Sequence, residues 1–278
     1  MPPQYELYER VFRQINEIYL SYTDRMEPAS IDERHLDITG TLSYYGMTAE
    51  ELAVSIRSRV RLEAGVNISV GVSFKKTFAK MDSDYKKPDA TTVVTEGNYK
   101  ALLWPLPVEN MLFIGAAAAE KLKKKDVRTI RDLAALSREK AEELLWKGGI
   151  GVWRASNGMD DAPVQRFADR AEVKSISRGM TFKRDLIAPD EMEQAVAALA
   201  GAVAEQLRRE KRKDRVIQVQ IRTPMLTAFS RQAMRPFATC TLQELETHAL
   251  TLIRKNWHVS KDMPIRTLTV GVAGLVEA

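Results

Sequence analysis

Cysteine is almost missing from this chain: Cys240 is the only one in 278 residues. No disulfide can close within the chain, and the fold must rest on packing. No apolar run approaches the roughly 18 residues that a bilayer-spanning helix needs, and the opening Met1-Pro2-Pro3-Gln4-Tyr5 does not resemble a signal peptide. A cytoplasmic protein without a membrane segment is the expectation. The glycine-rich stretch Lys147-Gly148-Gly149-Ile150-Gly151 lacks the Walker lysine pattern, so it reads as a turn and not as a nucleotide loop. What is present is ordinary for a globular protein, with 45% hydrophobic and 28% charged residues, and the length suits two or three small domains.

Two adjacent carboxylates, Asp32 and Glu33, stand in Ser30-Ile31-Asp32-Glu33-Arg34-His35-Leu36-Asp37-Ile38-Thr39-Gly40 between short apolar runs that read as strand. A second strand candidate, residues 67–74, runs into Lys75, Lys76 and Lys80 and then into Lys86-Lys87-Pro88-Asp89. Carboxylates near a lysine cluster suit metal-assisted phosphate chemistry. Mg²⁺ prefers carboxylate and water oxygens and usually binds through one or two carboxylates plus the substrate's own phosphates, while lysines neutralise a polyphosphate.

Helical spacing of Tyr5, Tyr8, Val11, Phe12, Ile15, Ile18, Tyr19 and Tyr22 predicts an amphipathic helix whose aromatics belong to the core. A second helix follows Thr48, with Glu51 as its capping-box partner and Leu52, Ile56 and Val60 on its buried face. Two helices packed on one face of an antiparallel sheet form an α+β layer, leaving the face with Asp32 and Glu33 for ligands. Near the C-terminal end, Pro189 and Asp190 start a long helix through Leu199 and Leu207 to the basic run Arg208–Lys213. That run either complements the helix C-terminus or contacts a polyanion. Residues 216–223 alternate with period two, Ile217, Val219 and Ile221 one way and Gln218, Gln220 and Arg222 the other.

Ser30-Ile-Asp-Glu with Leu36-Asp37 and Thr39, then Val70-Gly-Val-Ser with Lys75 and Ala79-Lys80, then Ser83-Asp84 with Lys87-Pro88, closely resemble the Y-family translesion DNA polymerases, the DNA polymerase IV group in particular. The resemblance continues in order through residues 106–110, 119–122, 127–136, 157–164, 174–178 and 264–268. It implies a partial palm at 1–102, a helix-hairpin-helix thumb at 103–172, a connector at 173–180 and a little finger of helix-backed sheet at 181–278. It also implies a chain clipped at both ends. The family's first strand, with its metal-binding aspartate, the aromatic steric gate and the fingers have no counterpart before the opening helix, and a sliding-clamp docking tail has none after Ala278.

The function implied is translesion synthesis in DNA repair and the SOS response: transfer of a dNTP to a primer 3′ hydroxyl on template DNA with two Mg²⁺ ions, impaired in this chain. A noncatalytic DNA-binding remnant or regulatory partner is the alternative. By resemblance Asp32 is a metal ligand, Glu33 serves the metal that activates the 3′ hydroxyl, and Lys87 contacts the triphosphate. Lys80 is a second candidate for that contact, with Asp84 four residues on as its other partner. Gly115 lies in a hairpin turn whose helix N-terminus suits a DNA phosphate, although Phe113 stands where the family tends to have a second glycine. Net charge is −2 over residues 1–102, +1 over 103–172 and +6 over 173–278, which fits a C-terminal domain lying along a phosphate backbone or a soluble surface. The DNA contacts expected there are Lys174, Arg178, Arg222, Arg231 and Arg266, with Arg231 and Arg266 on strands neighbouring the alternating one.

Overall fold

The structure, a computed structural model, describes residues 4–169 and 172–278. Met1, Pro2 and Pro3 lie outside the described residues, as do the side chains of Tyr5 and Lys147. Two compact units divide the chain, residues 1–170 and 171–278. The fold is a mixed α/β one with helix-backed sheet.

Unit 1 opens with α1 (Tyr5–Leu20), β1 (Met26–Pro28), β2 (Arg34–Leu36), α2 (Leu42–Tyr45) and α3 (Ala49–Ala64). It continues with β3 (Val70–Ser73), α4 (Lys76–Tyr85), β4 (Thr91–Val94) and α5 (Tyr99–Leu102). Thr48 caps α3 as expected: its side chain accepts from Glu51 N while the Glu51 carboxylate accepts from Thr48 N. Leu52, Ile56 and Val60 then bury against Ile15, Ile18 and Tyr22 of the α1 region, each aliphatic side chain contributing about 1.5–3 kcal/mol. The strands differ from the expected single antiparallel sheet. β1 and β2 form an antiparallel pair, while β3 and β4 form a separate parallel one. Parallel pairing follows from the crossover, because α4 carries the chain back to the same end of the sheet. Gly71 lets α4 lie this close, since a Cβ there would sit 2.0 Å from the Ala79 carbonyl oxygen.

The rest of unit 1 is helical: a 3₁₀ turn at Val108–Asn110, then α6 (Ala116–Lys123), α7 (Ile130–Ala134), α8 (Arg138–Leu145) and α9 (Gly149–Ser156). The first limb of the expected helix-hairpin-helix is therefore one 3₁₀ turn, entered from Pro107 in an extended conformation. The glycine-rich stretch 147–151 is likewise no open turn. It joins a 3₁₀ turn to the start of α9, and Gly149 packs against the α8 backbone at Ala141 O.

Unit 2 runs β5 (Ser175–Leu186), α10 (Pro189–Arg209), β6 (Arg212–Arg222), β7 (Ala228–Thr239), α11 (Leu242–Asn256), β8 (Ile265–Ala273) and β9 (Val276–Glu277). The sheet order is β5-β8-β6-β7, with β9 pairing the start of β6. β5 already pairs with β8 at Ser175↔Ala273, so most of the stretch expected as a connector is sheet. α10 has Pro189 in its first turn and Glu191 accepting from Ile187 N and Ala188 N. Together with α11 it seals one sheet face over Ile217, Val219, Ile221, Leu268 and Val270. β7 bulges between Met234 and Thr239. There Arg235 turns inward to pair with Asp214, both side chains being almost fully buried, and Pro236 follows.

Candidate functional site

Asp32 and Glu33 lie in the turn joining β1 to β2 and not on a strand. The apolar neighbours Leu36 and Ile38 suggested a longer strand, but Ala29 N and Ser30 N both donate to Glu33 O and close a tight loop first. Arg34 braces that loop. Its Nη1 donates to the carbonyls of Ser30 (2.7 Å) and Glu33 (2.9 Å), and its Nε donates to Asn16 Oδ1 on α1. The Ser30 hydroxyl donates to Asp32 Oδ1 at 2.6 Å and lies 3.4 Å from Glu33 Oε2, drawing the two carboxylates together. That hydroxyl is the main cause holding the Asp32 pKa below the ordinary range; burial opposes it, and the residue's own backbone N–H, Lys87 and Lys80 add to the lowering.

The two lysines approach from α4 and its exit. Lys80 Nζ bonds Glu33 Oε1 at 2.8 Å and Asp84 Oδ2 at 2.5 Å, and Lys87 Nζ bonds Asp84 Oδ1 at 2.5 Å. Burial works against the charge on Lys80, but Asp84 and Glu33 outweigh it and raise its pKa. Among the described residues, no group of three or more His, Cys, Asp or Glu is arranged to hold a metal ion. The donor set here is two carboxylates and a hydroxyl.

In the helical part, Gly115 is the N-cap of α6 and makes no side-chain cap. Phe113 takes the left-handed conformation (φ 70°) that the family's glycine would supply, with its ring 83% exposed. The turn survives the substitution at a backbone cost of roughly 1–2 kcal/mol.

In unit 2 the register sorts the expected DNA contacts onto two faces. Ile217, Val219 and Ile221 are buried and Gln218, Gln220 and Arg222 point the other way, as the alternation requires. The open face therefore carries Gln218 beside Gln232, Gln220 between Ser230 and Thr269, and Arg222 beside Thr267. Arg178 and Arg231 are not on it. They flank the buried pair Val270–Val219 in one cross-strand row, and Arg178 Nη2 donates to Gln206 on α10. Arg266 shares the parity of Leu268, and its Nε pairs with Asp185 Oδ1 at 2.8 Å. Lys174 is exposed just before β5. Arg231 and Arg266 therefore lie off the face that carries Gln218, Gln220 and Arg222.

Sequence reasoning missed Ser30 and Arg34 as residues that assemble the site, while the expected Lys80–Asp84 pair is present. It also missed the Asn157–Val164 stretch as a structural strap. Asp160 accepts from Thr77 Oγ1, Asp161 pairs with Lys75, and Lys76 bridges Glu27 and Pro163 O. The only sequence signal was the Lys80/Asp84 spacing of four.

Comparisons with known proteins bear on the family of the whole chain. A model described as the impB/mucB/samB family matches residues 1–84, and that of the family's C-terminal domain matches residues 173–278. DNA polymerase IV of Acetivibrio thermocellus is 37% identical over 274 residues, 99% of this chain and 68% of the relative. DNA polymerase IV 1 of Bacillus subtilis is 32% identical over 278 residues, 100% of this chain and 66% of the relative. Among solved structures, a Y-family DNA polymerase chimera of Dbh and Dpo4 matches with a TM-score of 0.87 at 20% identity, covering 100% of this chain and 79% of that one. An insertion ternary complex of Dbh DNA polymerase matches with a TM-score of 0.61 at 19% identity, covering 100% and 79%. With both family models in order along the sequence and a relative 37% identical over nearly all of it, the chain belongs to the impB/mucB/samB family, the Y-family DNA-directed DNA polymerases of the DNA polymerase IV kind.

Proposed function

We propose that this chain acts in template-directed transfer of deoxynucleotides to a primer 3′ hydroxyl across damaged template. Its partners are then primer–template DNA and a dNTP, its cofactor is Mg²⁺, and its setting is the DNA-damage response of a bacterial cytoplasm. One observation carries the reading: a single turn holds Asp32 and Glu33 around the Ser30 hydroxyl, with Lys80 and Lys87 converging on Glu33 and on Asp84 beside it. Two adjacent carboxylates fit the protein's share of a Mg²⁺ site, which substrate phosphates and water complete. When bound, Mg²⁺ supplies charge stabilisation to the attacking and leaving oxygens of an in-line displacement.

The chain's own residues have distinct tasks in this reading. Asp32 is held as a carboxylate by Ser30 and is the standing ligand. Glu33 joins it on release of Lys80, whose ammonium then turns to the triphosphate. Lys87 exchanges Asp84 for phosphate at small cost, because a half-exposed ion pair is worth only about 0–1 kcal/mol. The open face of the unit 2 sheet, with Gln218, Gln220 and Arg222, lies along the DNA backbone, where such contacts position the duplex without reading bases.

A second reading, DNA binding without catalysis, is favoured by the donor set itself, which offers two carboxylates and no third among the described residues. Primer extension with dNTPs and Mg²⁺, run beside an Asp32→Asn/Glu33→Gln double variant, separates the two. Extension above the double variant supports catalysis by this turn. Equal, negligible extension with retained salt-sensitive DNA binding leaves the noncatalytic reading standing.

A further inference from the structure

Most aromatic side chains around α4 and α5 find one another. Phe74, Phe78, Tyr99 and Trp104 form a chain of ring contacts with centroids 5.2–6.1 Å apart. Phe113 does the opposite. Its neighbours Met111 and Ile114 are 2% and 7% exposed, and Ile114 N donates to Met111 O at 3.0 Å, so the turn is anchored while the Phe113 ring stands 83% exposed.

The surroundings of the ring are small and basic. A Cβ added at Gly115 would meet no atom within 4 Å, and Ala116 and Ala117 are exposed, so a flat ligand meets no bulky side chain where α6 begins. Lys121, Lys123, Lys124 and Lys125 follow, all exposed. Glu109 and Glu120 hold Lys123 and Lys124, and Lys121 stands 5.7 Å from the Trp146 ring.

A protein partner fits this patch poorly. One phenyl ring buries at most about 250 Å² where a stable interface needs on the order of 1,000 Å², and among the described residues no other large apolar side chain between Tyr85 and Trp146 is exposed. A lone ring followed by lysines suits a base attached to its phosphates. A paired base has both faces covered by its neighbours in the stack, and parting a step of the duplex costs free energy. An unpaired base offers its face freely.

We infer that Phe113 is a stacking site for an unpaired nucleobase, with the α6 lysines neutralising the phosphates of that strand. The inference rests on the DNA-binding part of the proposed function and extends it from backbone contacts to a base. Glycine in this turn would meet DNA through its backbone alone. The phenyl ring adds a face on which any base can stack without sequence preference, so the site selects gaps and single-stranded template over intact duplex.

The test uses the whole chain and two fluorescein-labelled duplexes, one intact and one with a thymine left opposite a one-nucleotide gap. Binding at least about fivefold tighter to the gapped duplex is the expected result, with that thymine shielded from permanganate, which oxidises unstacked thymine. Phe113→Gly should bring the two affinities together and unshield the thymine. It should leave the intact duplex bound as before, since glycine takes φ 70° without strain and keeps the turn. Phe113→Trp should retain both the preference and the shielding. An undiminished preference in Phe113→Gly, or a loss of the same size on both duplexes, would overturn the inference and leave DNA binding in place. Failure of the unaltered chain to bind either duplex would overturn the DNA-binding reading, and this inference with it.

Discussion

β3 of unit 1 and β6 of unit 2 carry similar branched aliphatic residues and meet opposite conditions. In β6, Ile217, Val219 and Ile221 are buried because β7 and β8 pair on both sides and α10 and α11 cover one face. In β3, Val70 and Val72 stay half-buried because one edge has no neighbour among the described strands. The buried carboxylates repeat the contrast. Asp214 has Arg235 bonded to it, so the guanidinium pulls against the rise in pKa that burial imposes. Asp82 on α4 is 1% exposed with no partner at either carboxylate oxygen, and desolvation pushes its pKa up to about 7. A strand or a charge is only as well placed as the neighbours that its own unit provides.

Four measurements sharpen or break this comparison. The largest effect belongs to Arg235→Leu, which leaves Asp214 buried and unpaired and should cost unit 2 about 3–5 kcal/mol in denaturant unfolding. Next, Ile217→Ala should cost about 2–5 kcal/mol through the cavity it leaves, whereas Val72→Ala at the open edge should cost under about 1.5 kcal/mol. Equal losses would mean that β3 is as enclosed as β6.

Asp82 sets a pH dependence. Its folded pKa lies above the ordinary 3.8, so between pH 3.8 and about 7 the folded form keeps a proton that the unfolded form has released. Stability from this source is complete below the lower value and falls as pH rises towards about 7, with a slope of up to about 1.4 kcal/mol per pH unit. Asp82→Ala should remove that slope from unit 1 unfolding and stabilise the protein at pH 8. Persistence of the slope would place its source elsewhere. The smallest effect is on DNA. Arg222→Ala should flatten the slope of log K against log salt by about 0.9, the share of one phosphate contact, while Arg266→Ala, already paired with Asp185, should change it little.

The sequence shows these features unevenly. The Thr48–Glu51 box and the alternation of β6 are local patterns, so both were legible, and the motif run from Ser30 to Pro88 identified the family. The turn at Asp32 was not, because Leu36 and Ile38 continue an apolar rhythm and only the Ser30 and Arg34 contacts end the strand. The faces of Arg231 and Arg266 depend on which residues β7 and β8 set opposite β6, a long-range register that composition does not carry. Asp82 in a lysine-rich helix reads as surface, and only the packing of α4 on β3 buries it.

The β7 bulge bears on how the protein behaves in concentrated solution. β7 is an outer strand of the unit 2 sheet, and such strands are templates for unwanted association between molecules. Pro236 offers no N–H, and the bulge around it interrupts the repeat that a second sheet would need to follow. Along this rim unit 2 should therefore resist sheet-to-sheet association at concentrations where a long, regular edge would begin to pair.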